Sequence, residues 1–284
     1  MQLSKKQCIV TGANTGLGFE VARRLAALGA NTTLLCRNKD KGEAAFHRLR
    51  EEHPGADLEV AVCDLASLAA IRDFITDYSA RHEKLDLLYN NAAVMKAKRT
   101  VTEDGFEMMF QVNYLAPFLL MTSLLPLLRG GSEPLIINNG RPSARLRLDL
   151  EDLQAAKSYR MYRSFFKTKL CLVFATLELA RRPERGPVVV AMIDPGTFKS
   201  ELVRDVRVAA WFKNFFSGSV AKAADNLLHH IGGDPARLNG KVFKERAEQP
   251  LPDYWMDEDL GRRMWSMTES MLGVPNAMEG RTAL

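Results

Sequence analysis

Three glycines within eight residues, in Thr11-Gly12-Ala13-Asn14-Thr15-Gly16-Leu17-Gly18, are the first residues here whose type and spacing could do chemistry. Glycine tolerates a tight turn and, lacking a β-carbon, lets backbone approach a bound group or a packing partner closely. Placed between an apolar run and a helical pattern, such a segment presents the unpaired N–H groups of a helix N-terminus to a phosphate. The second candidate is Arg37, in Cys36-Arg37-Asn38-Lys39 at the end of the next apolar run. An acidic residue there would accept hydrogen bonds from ribose hydroxyls, whereas a guanidinium suits an added phosphate that it can grip in a bidentate fork. Together the two read as a nicotinamide dinucleotide cradle favouring NADP(H). The competing reading of Arg37 is a surface arginine on a loop.

Chemistry of that kind has to be positioned by alternating strands and helices. Short β-rich runs predict strands at Gln7–Thr11, Asn31–Cys36, Glu59–Cys63, Leu85–Tyr89, Pro134–Asn138, Val188–Ile193 and Lys241–Lys244. Between them the periodicity predicts helices near Gly18–Leu28, Lys39–Glu52, Leu68–Arg81, Phe106–Leu128, Arg163–Arg182 and Ala221–His230. A last amphipathic helix runs from about Asp257 to Leu272, with Leu260, Met264, Met267, Met271 and Leu272 as a packing stripe. Strand–helix alternation of this kind implies βαβ units with right-handed crossovers. The expected fold class is α/β, a single Rossmann-type domain over residues 1–284 with a doubly wound parallel sheet. Ligands in such sheets bind beyond the carboxyl ends of the strands.

Composition narrows the function classes. With 46% hydrophobic and 26% charged residues over 284, the chain is an ordinary globular protein with a large core. The longest apolar stretch, Leu115 to Leu128, is interrupted by Pro117, Thr122, Ser123 and Pro126, so no transmembrane segment is expected. The first residues lead directly into a strand, which points to no signal peptide and a cytoplasmic location. Cys8, Cys36, Cys63 and Cys171 lack CxxC spacing and read as buried free thiols, and the five histidines form no ligand pattern; no metal is expected. The net charge of +5 lies in arginine pairs on helical faces without interleaved aromatic platforms, so nucleic acid is not an expected partner.

Several further motifs give the chain a specific likeness. They are Cys63-Asp64-Leu65, Asn90-Asn91-Ala92-Ala93-Val94, Asp104-Gly105-Phe106-Glu107, Val112-Asn113-Tyr114, Asp152-Leu153-Gln154 and Asp194-Pro195-Gly196. With the glycine segment, they make the chain resemble the short-chain dehydrogenase/reductase superfamily, in its retinol-dehydrogenase-like branch, from Gln7 to about Gly273. The resemblance implies that Asp64 and Leu65 contact adenine, that Asn91, Ala92 and Ala93 line the cofactor trough, and that Pro195, Gly196 and Thr197 flank the nicotinamide. Ala93 stands where the family more often has glycine. Of the catalytic places, Asn113 and Lys169 match, and Lys169 is expected to reach the nicotinamide ribose. The helices 106–128 and 163–182 correspond to those through which relatives dimerise, so a homodimer or a heterodimer with a relative is expected.

Two catalytic places break the pattern. In Ser164-Phe165-Phe166-Lys167-Thr168-Lys169 the resemblance aligns Phe165 with the family's tyrosine, and in Asn139-Gly140-Arg141 it aligns Arg141 with the serine. A phenyl ring carries no proton, and a guanidinium does not give one up. Acid–base groups contribute about 10²- to 10⁴-fold and a polarising donor about 10²- to 10³-fold. Tyr162 is three residues before Phe165, about 60° around a helix and about 4.5 Å along it, and is expected to reach the trough only on a shifted helix; Ser143 is the other candidate for rescue. Arg141 either clamps an anionic ligand or points to solvent. The expectation is an NADP(H)-binding, pseudoenzyme-like protein. The alternatives are an active oxidoreductase on an apolar carbonyl or alcohol, and a structural subunit without nucleotide. Residues 198–220, with Phe198, Leu202, Trp211, Phe212, Phe215 and Phe216, correspond in the resembled family to the lid over the substrate, whose apolar character would suit a lipid-like, retinoid-like or steroid-like ligand. The same spacing also suits a membrane-surface or partner-binding helix, and simple packing of a lid helix on the core is the plainest reading.

Overall fold

A computed structural model of the chain describes residues 2–197 and 218–274. Strand β1 (Gln7–Thr11) is central, flanked by β2 (Asn31–Cys36) and β4 (Leu87–Asn90), with β3 (Leu58–Val62) outside β2. On the other side follow β5 (Leu135–Asn139), β6 (Val189–Asp194), β7 (Lys241–Lys244) and the two-residue β8 (Ala247–Glu248). All pairings are parallel except β7 with β8. The order β3-β2-β1-β4-β5-β6-β7-β8 reverses direction at β1, where chain leaving β1 and chain leaving β4 turn to opposite sides and open a crevice.

Both faces of the sheet are covered, so the strands read as nearly continuous apolar runs. Cys8, Val10, Leu87, Tyr89, Ile137 and Ile193 pack under α1 (Gly16–Ala27), α2 (Lys39–Glu52) and α8 (Val220–Ile231). Ile9, Leu88, Ile136 and Val190, one residue out of phase, face α3 (Leu68–Arg81), α7 (Met161–Arg181) and α9 (Glu258–Leu272). The methionine stripe of α9 joins this second core: Met264 and Leu272 are buried, and Leu260, Met267 and Met271 pack against it. All four cysteines are buried free thiols.

The helix expected over 106–128 is divided. It comprises α4 (Met108–Phe110), a π-helical turn (Gln111–Leu115), α5 (Ala116–Ser123) and α6 (Leu125–Arg129). The cause is proline: Pro117 and Pro126 offer no N–H to the carbonyls of Asn113 and Thr122, so the α-helical ladder cannot run through either point. The break leaves Asn113 within the wide turn, facing the loop that follows β4. Other boundaries agree with expectation to within two residues, apart from β8, which is too short to leave a pattern. The apolar lid lies, for all but residues 218–220, outside the described residues.

Candidate active site

Loops at the carboxyl ends of β1 to β6 line one trough of about 1100 Å³. At its nucleotide end Gly12 and Gly16 adopt φ of +66° and +56°, which L-residues with side chains rarely take. Gly18 is needed for a different reason. A β-carbon there would lie 2.3 Å from the Gly12 carbonyl oxygen and 2.6 Å from Asn91 Nδ2. Thr15 begins α1 without a side-chain cap, and no acidic residue stands in the first turn. The uncapped N–H groups and the helix dipole therefore present positive potential to the trough.

A hydrogen-bonded clasp fixes this loop to the end of β4. Thr11 Oγ1 accepts from the N–H groups of Asn91 and Ala92, each at 2.9 Å, while Asn91 Nδ2 donates to the Thr11 carbonyl at 2.9 Å. Beyond β2, Arg37 and Lys41 both line the trough, and Asn38 caps α2 by accepting from Lys41 N–H at 2.9 Å. Beyond β3, Asp64 accepts from Ala66 N–H at 2.9 Å, which shapes the turn carrying Leu65.

At the other end, Lys169 on α7 is buried, and its Nζ donates to the Asn139 carbonyl at 2.9 Å. Gly140 packs closely against this side chain: a β-carbon there would lie 3.3 Å from Lys169 Cδ, a tight contact. Burial lowers the Lys169 ammonium from 10.5 to about 8, as expected when a charge leaves water without a countercharge. Phe165, one turn earlier, faces it with the ring centroid 5.8 Å from Nζ. The Phe165 ring packs with Met95 and Met109 and meets Phe166 edge-on at 5.6 Å.

Arg141 does not simply point to solvent: it lines the trough and is paired with a carboxylate. Its Nε and Nη2 donate to the two carboxylate oxygens of Asp194 at 2.8 and 3.2 Å, a bidentate pair joining the loops after β5 and β6. Asp194 also accepts from Gly196 N–H at 3.0 Å, which fixes the turn into Pro195-Gly196-Thr197. The guanidinium lines the trough with its charge balanced by a buried carboxylate.

Asn113 is fully buried and does not line the trough. Its Oδ1 accepts from Val94 N–H at 2.8 Å, and its Nδ2 donates to the Val94 carbonyl at 2.9 Å and to Thr168 Oγ1 at 3.4 Å. The side chain thus braces the trough wall from behind. Tyr162 is among the residues lining the trough, on an unshifted α-helix. Burial raises its phenol above 10, the wrong direction for a proton donor near neutrality. Tyr159 is committed elsewhere: its hydroxyl donates to the Lys96 carbonyl at 2.6 Å, and burial pushes it up to about 12. Ser143 does not line the trough.

The chain matches the short chain dehydrogenase family over residues 6–149. Retinol dehydrogenase 13 of Mus musculus is 34% identical over 287 residues, covering 96% of this chain and 85% of that protein. Retinol dehydrogenase 11 of Homo sapiens is 34% identical over 280 residues, covering 97% and 88%. A solved structure of an uncharacterized protein from Mycobacterium Paratuberculosis superposes with a TM-score of 0.76 at 25% identity over 97% of each chain. A metagenomic short-chain oxidoreductase solved in complex with NADP has the same fold, with a TM-score of 0.65 at 22% identity over 89% and 100%.

The chain belongs to the short-chain dehydrogenase/reductase family. Within it the relatives bear out the retinol-dehydrogenase-like branch. All the cofactor-binding positions expected for this short-chain dehydrogenase line the trough except Gly18, which supports it from beneath. The uncapped α1 and the left-handed glycines fit a dinucleotide pyrophosphate. Sequence reasoning missed Lys41, whose only signal is its place one turn into α2 after Arg37. It also missed Met95, Lys96, Met108 and Val112, which no local pattern separates from core.

Proposed function

We propose that the protein binds NADP(H) in this trough while its oxidoreductase chemistry is impaired or absent, making it a cofactor-binding or regulatory pseudoenzyme. The observation that carries this reading is the wall opposite Lys169, where a packed phenyl ring and a charge-paired guanidinium stand at the two places the family fills with hydroxyls. Arg37 and Lys41 support the phosphorylated dinucleotide, since two cations at the end of β2 suit a 2′-phosphate. Bound there, the nicotinamide would supply hydride chemistry. The chain's own part is to hold the pyrophosphate on α1 and the ribose on Lys169, with the Val94 strip braced by Asn113. A cytoplasmic location and pairing with a second short-chain dehydrogenase are consistent with this role.

A second reading, an active NADP(H)-dependent oxidoreductase on a retinoid-like, steroid-like or lipid-like carbonyl or alcohol, is favoured by one observation: Tyr162 lines the trough. Retinol dehydrogenase relatives make that substrate class the first to try. The two readings part in one experiment, NADPH titration by fluorescence alongside NADPH consumption with a panel of apolar carbonyls. Saturable binding without turnover is expected. Steady turnover abolished by Tyr162→Phe would establish the second reading, and failure to bind NADPH would reject both.

A further inference from the structure

Lys169 occupies an unusual position for a lysine. It is buried to 4% exposure and touches the trough, and among the described residues its side chain hydrogen-bonds to a carbonyl, which supplies no countercharge. Among the described residues it forms no ion pair, and Asp194, a carboxylate of the trough lining, is engaged by both Nε and Nη2 of Arg141. Val94, Met95, Val112, Phe165 and Phe166 make the adjoining trough wall apolar. A hydroxyl at Phe165 would have given the ammonium a polar partner. The phenyl ring offers it only a π face, with the centroid 5.8 Å from Nζ.

We propose that Lys169 is a carbonyl-capture site: when the trough holds no nucleotide, its ε-amine condenses reversibly with a long-chain apolar aldehyde lying along this wall. The nitrogen lone pair attacks the aldehyde carbon to give a carbinolamine, whose nitrogen loses a proton. The carbinolamine oxygen gains a proton and departs as water, leaving a carbon–nitrogen double bond. No oxidant or reductant is consumed, and hydrolysis returns the aldehyde. Desolvated lysines are the usual nucleophiles for this chemistry. With its ammonium lowered to about 8, about half of Lys169 is free amine at pH 8, against roughly 0.4% of an exposed lysine titrating near 10.4. The site is shared with the nucleotide reading above, so the two ligands exclude each other.

The test uses the full-length protein with decanal at pH 8, sodium borohydride to reduce any imine to a stable secondary amine, and peptide mass mapping. Lys169 is expected to be labelled at least tenfold faster than Lys39 and Lys222, both 71% exposed at the side chain. Labelling no faster than at those two lysines overturns the proposal. Because the comparison is made within one unmutated molecule, it does not depend on a variant folding; Lys169→Arg should in addition remove the adduct at that position. Saturating NADPH is expected to protect Lys169. Fast labelling that NADPH does not slow would uphold the capture and count against the nucleotide reading, which keeps the two failures distinct.

Discussion

Replacing Arg141 with serine restores a hydroxyl to the family's position but also dissolves the pair with Asp194. The structure sets the cost. The Arg141 side chain is 29% exposed and that of Asp194 8%, so the pair is neither a surface contact nor fully desolvated. Removing one member of a buried pair costs about 3–5 kcal/mol, and a hydrogen bond to a charged group contributes about 1.5–3 kcal/mol. Asp194 would keep its bond from Gly196 N–H, and solvent reaches Arg141, so Arg141→Ser should cost about 2 kcal/mol. For a chain of this length that lowers Tm by about 3–4 °C. Made in an Asp194→Asn background, the same change should cost under about 0.5 kcal/mol, because no unpaired carboxylate is left behind. Urea unfolding followed through the buried Trp255 and Trp265 measures the cycle. The consequence for activity is direct. The pair Phe165→Tyr with Arg141→Ser leaves a stranded carboxylate at the reaction end, so adding Asp194→Asn should raise NADPH-dependent turnover at least tenfold over that double variant. Should Arg141→Ser cost as much with Asp194→Asn as without it, the two residues are not coupled and the reasoning fails.

Three other outcomes follow from the same geometry. Arg37→Ala should weaken NADPH binding by about 10- to 100-fold, the loss of one charge-assisted contact, with little change for NADH; equal losses for both cofactors would remove the 2′-phosphate assignment. Gly18→Ala should destabilise by about 1–3 kcal/mol through overpacking, since its β-carbon would meet the Gly12 carbonyl and Asn91, and nucleotide affinity should fall with it; an unchanged Tm would show that the loop yields freely. Lys169 predicts a pH signature: with its ammonium at about 8 when folded and near 10.4 when unfolded, the unfolded chain binds the extra proton between these values, so stability rises with pH across that window. Lys169→Met should be more stable at neutral pH and lose that rise, and denaturation series at pH 7 and pH 10 giving parallel changes in both proteins would contradict the buried-ammonium picture.

The strands were readable because a sheet covered on both faces imposes long apolar runs, and β1, β2, β5 and β6 leave little else to fit. Chemistry that depends on backbone geometry was readable for the same reason: Gly12, Gly16 and Gly18 have few other uses at that spacing. What escaped was long-range. Nothing local links Arg141 to Asp194, 53 positions apart, although an arginine and an aspartate following adjacent parallel strands are natural partners once the sheet order is known. Asn113 looked like a reaction-centre residue, and only packing shows its amide spent on Val94. Tyr162, three residues before Phe165, is offset from it by both angle and rise along a helix, and its place among the trough-lining residues follows from the wall around it and not from helix geometry alone.

The two ends of the trough are built from different materials. The nucleotide end rests on main-chain N–H groups, glycine conformations and the Thr11–Asn91 clasp at the ends of β1 and β4, none of which involves Phe165 or Arg141. The reaction end rests on side chains from the loops after β5 and β6 and from α7. A reaction end without hydroxyls therefore leaves the nucleotide end physically untouched, so that binding without turnover, as proposed above, is a coherent state of this fold. Lys169 lines the trough at the reaction end, buried and with its Nζ 5.8 Å from the centroid of the phenyl ring. Its ammonium is lowered to about 8 by burial alone, so under the NADP(H) reading proposed above a change at the ring position reaches the cofactor through the packing around this lysine and not through the glycine loop.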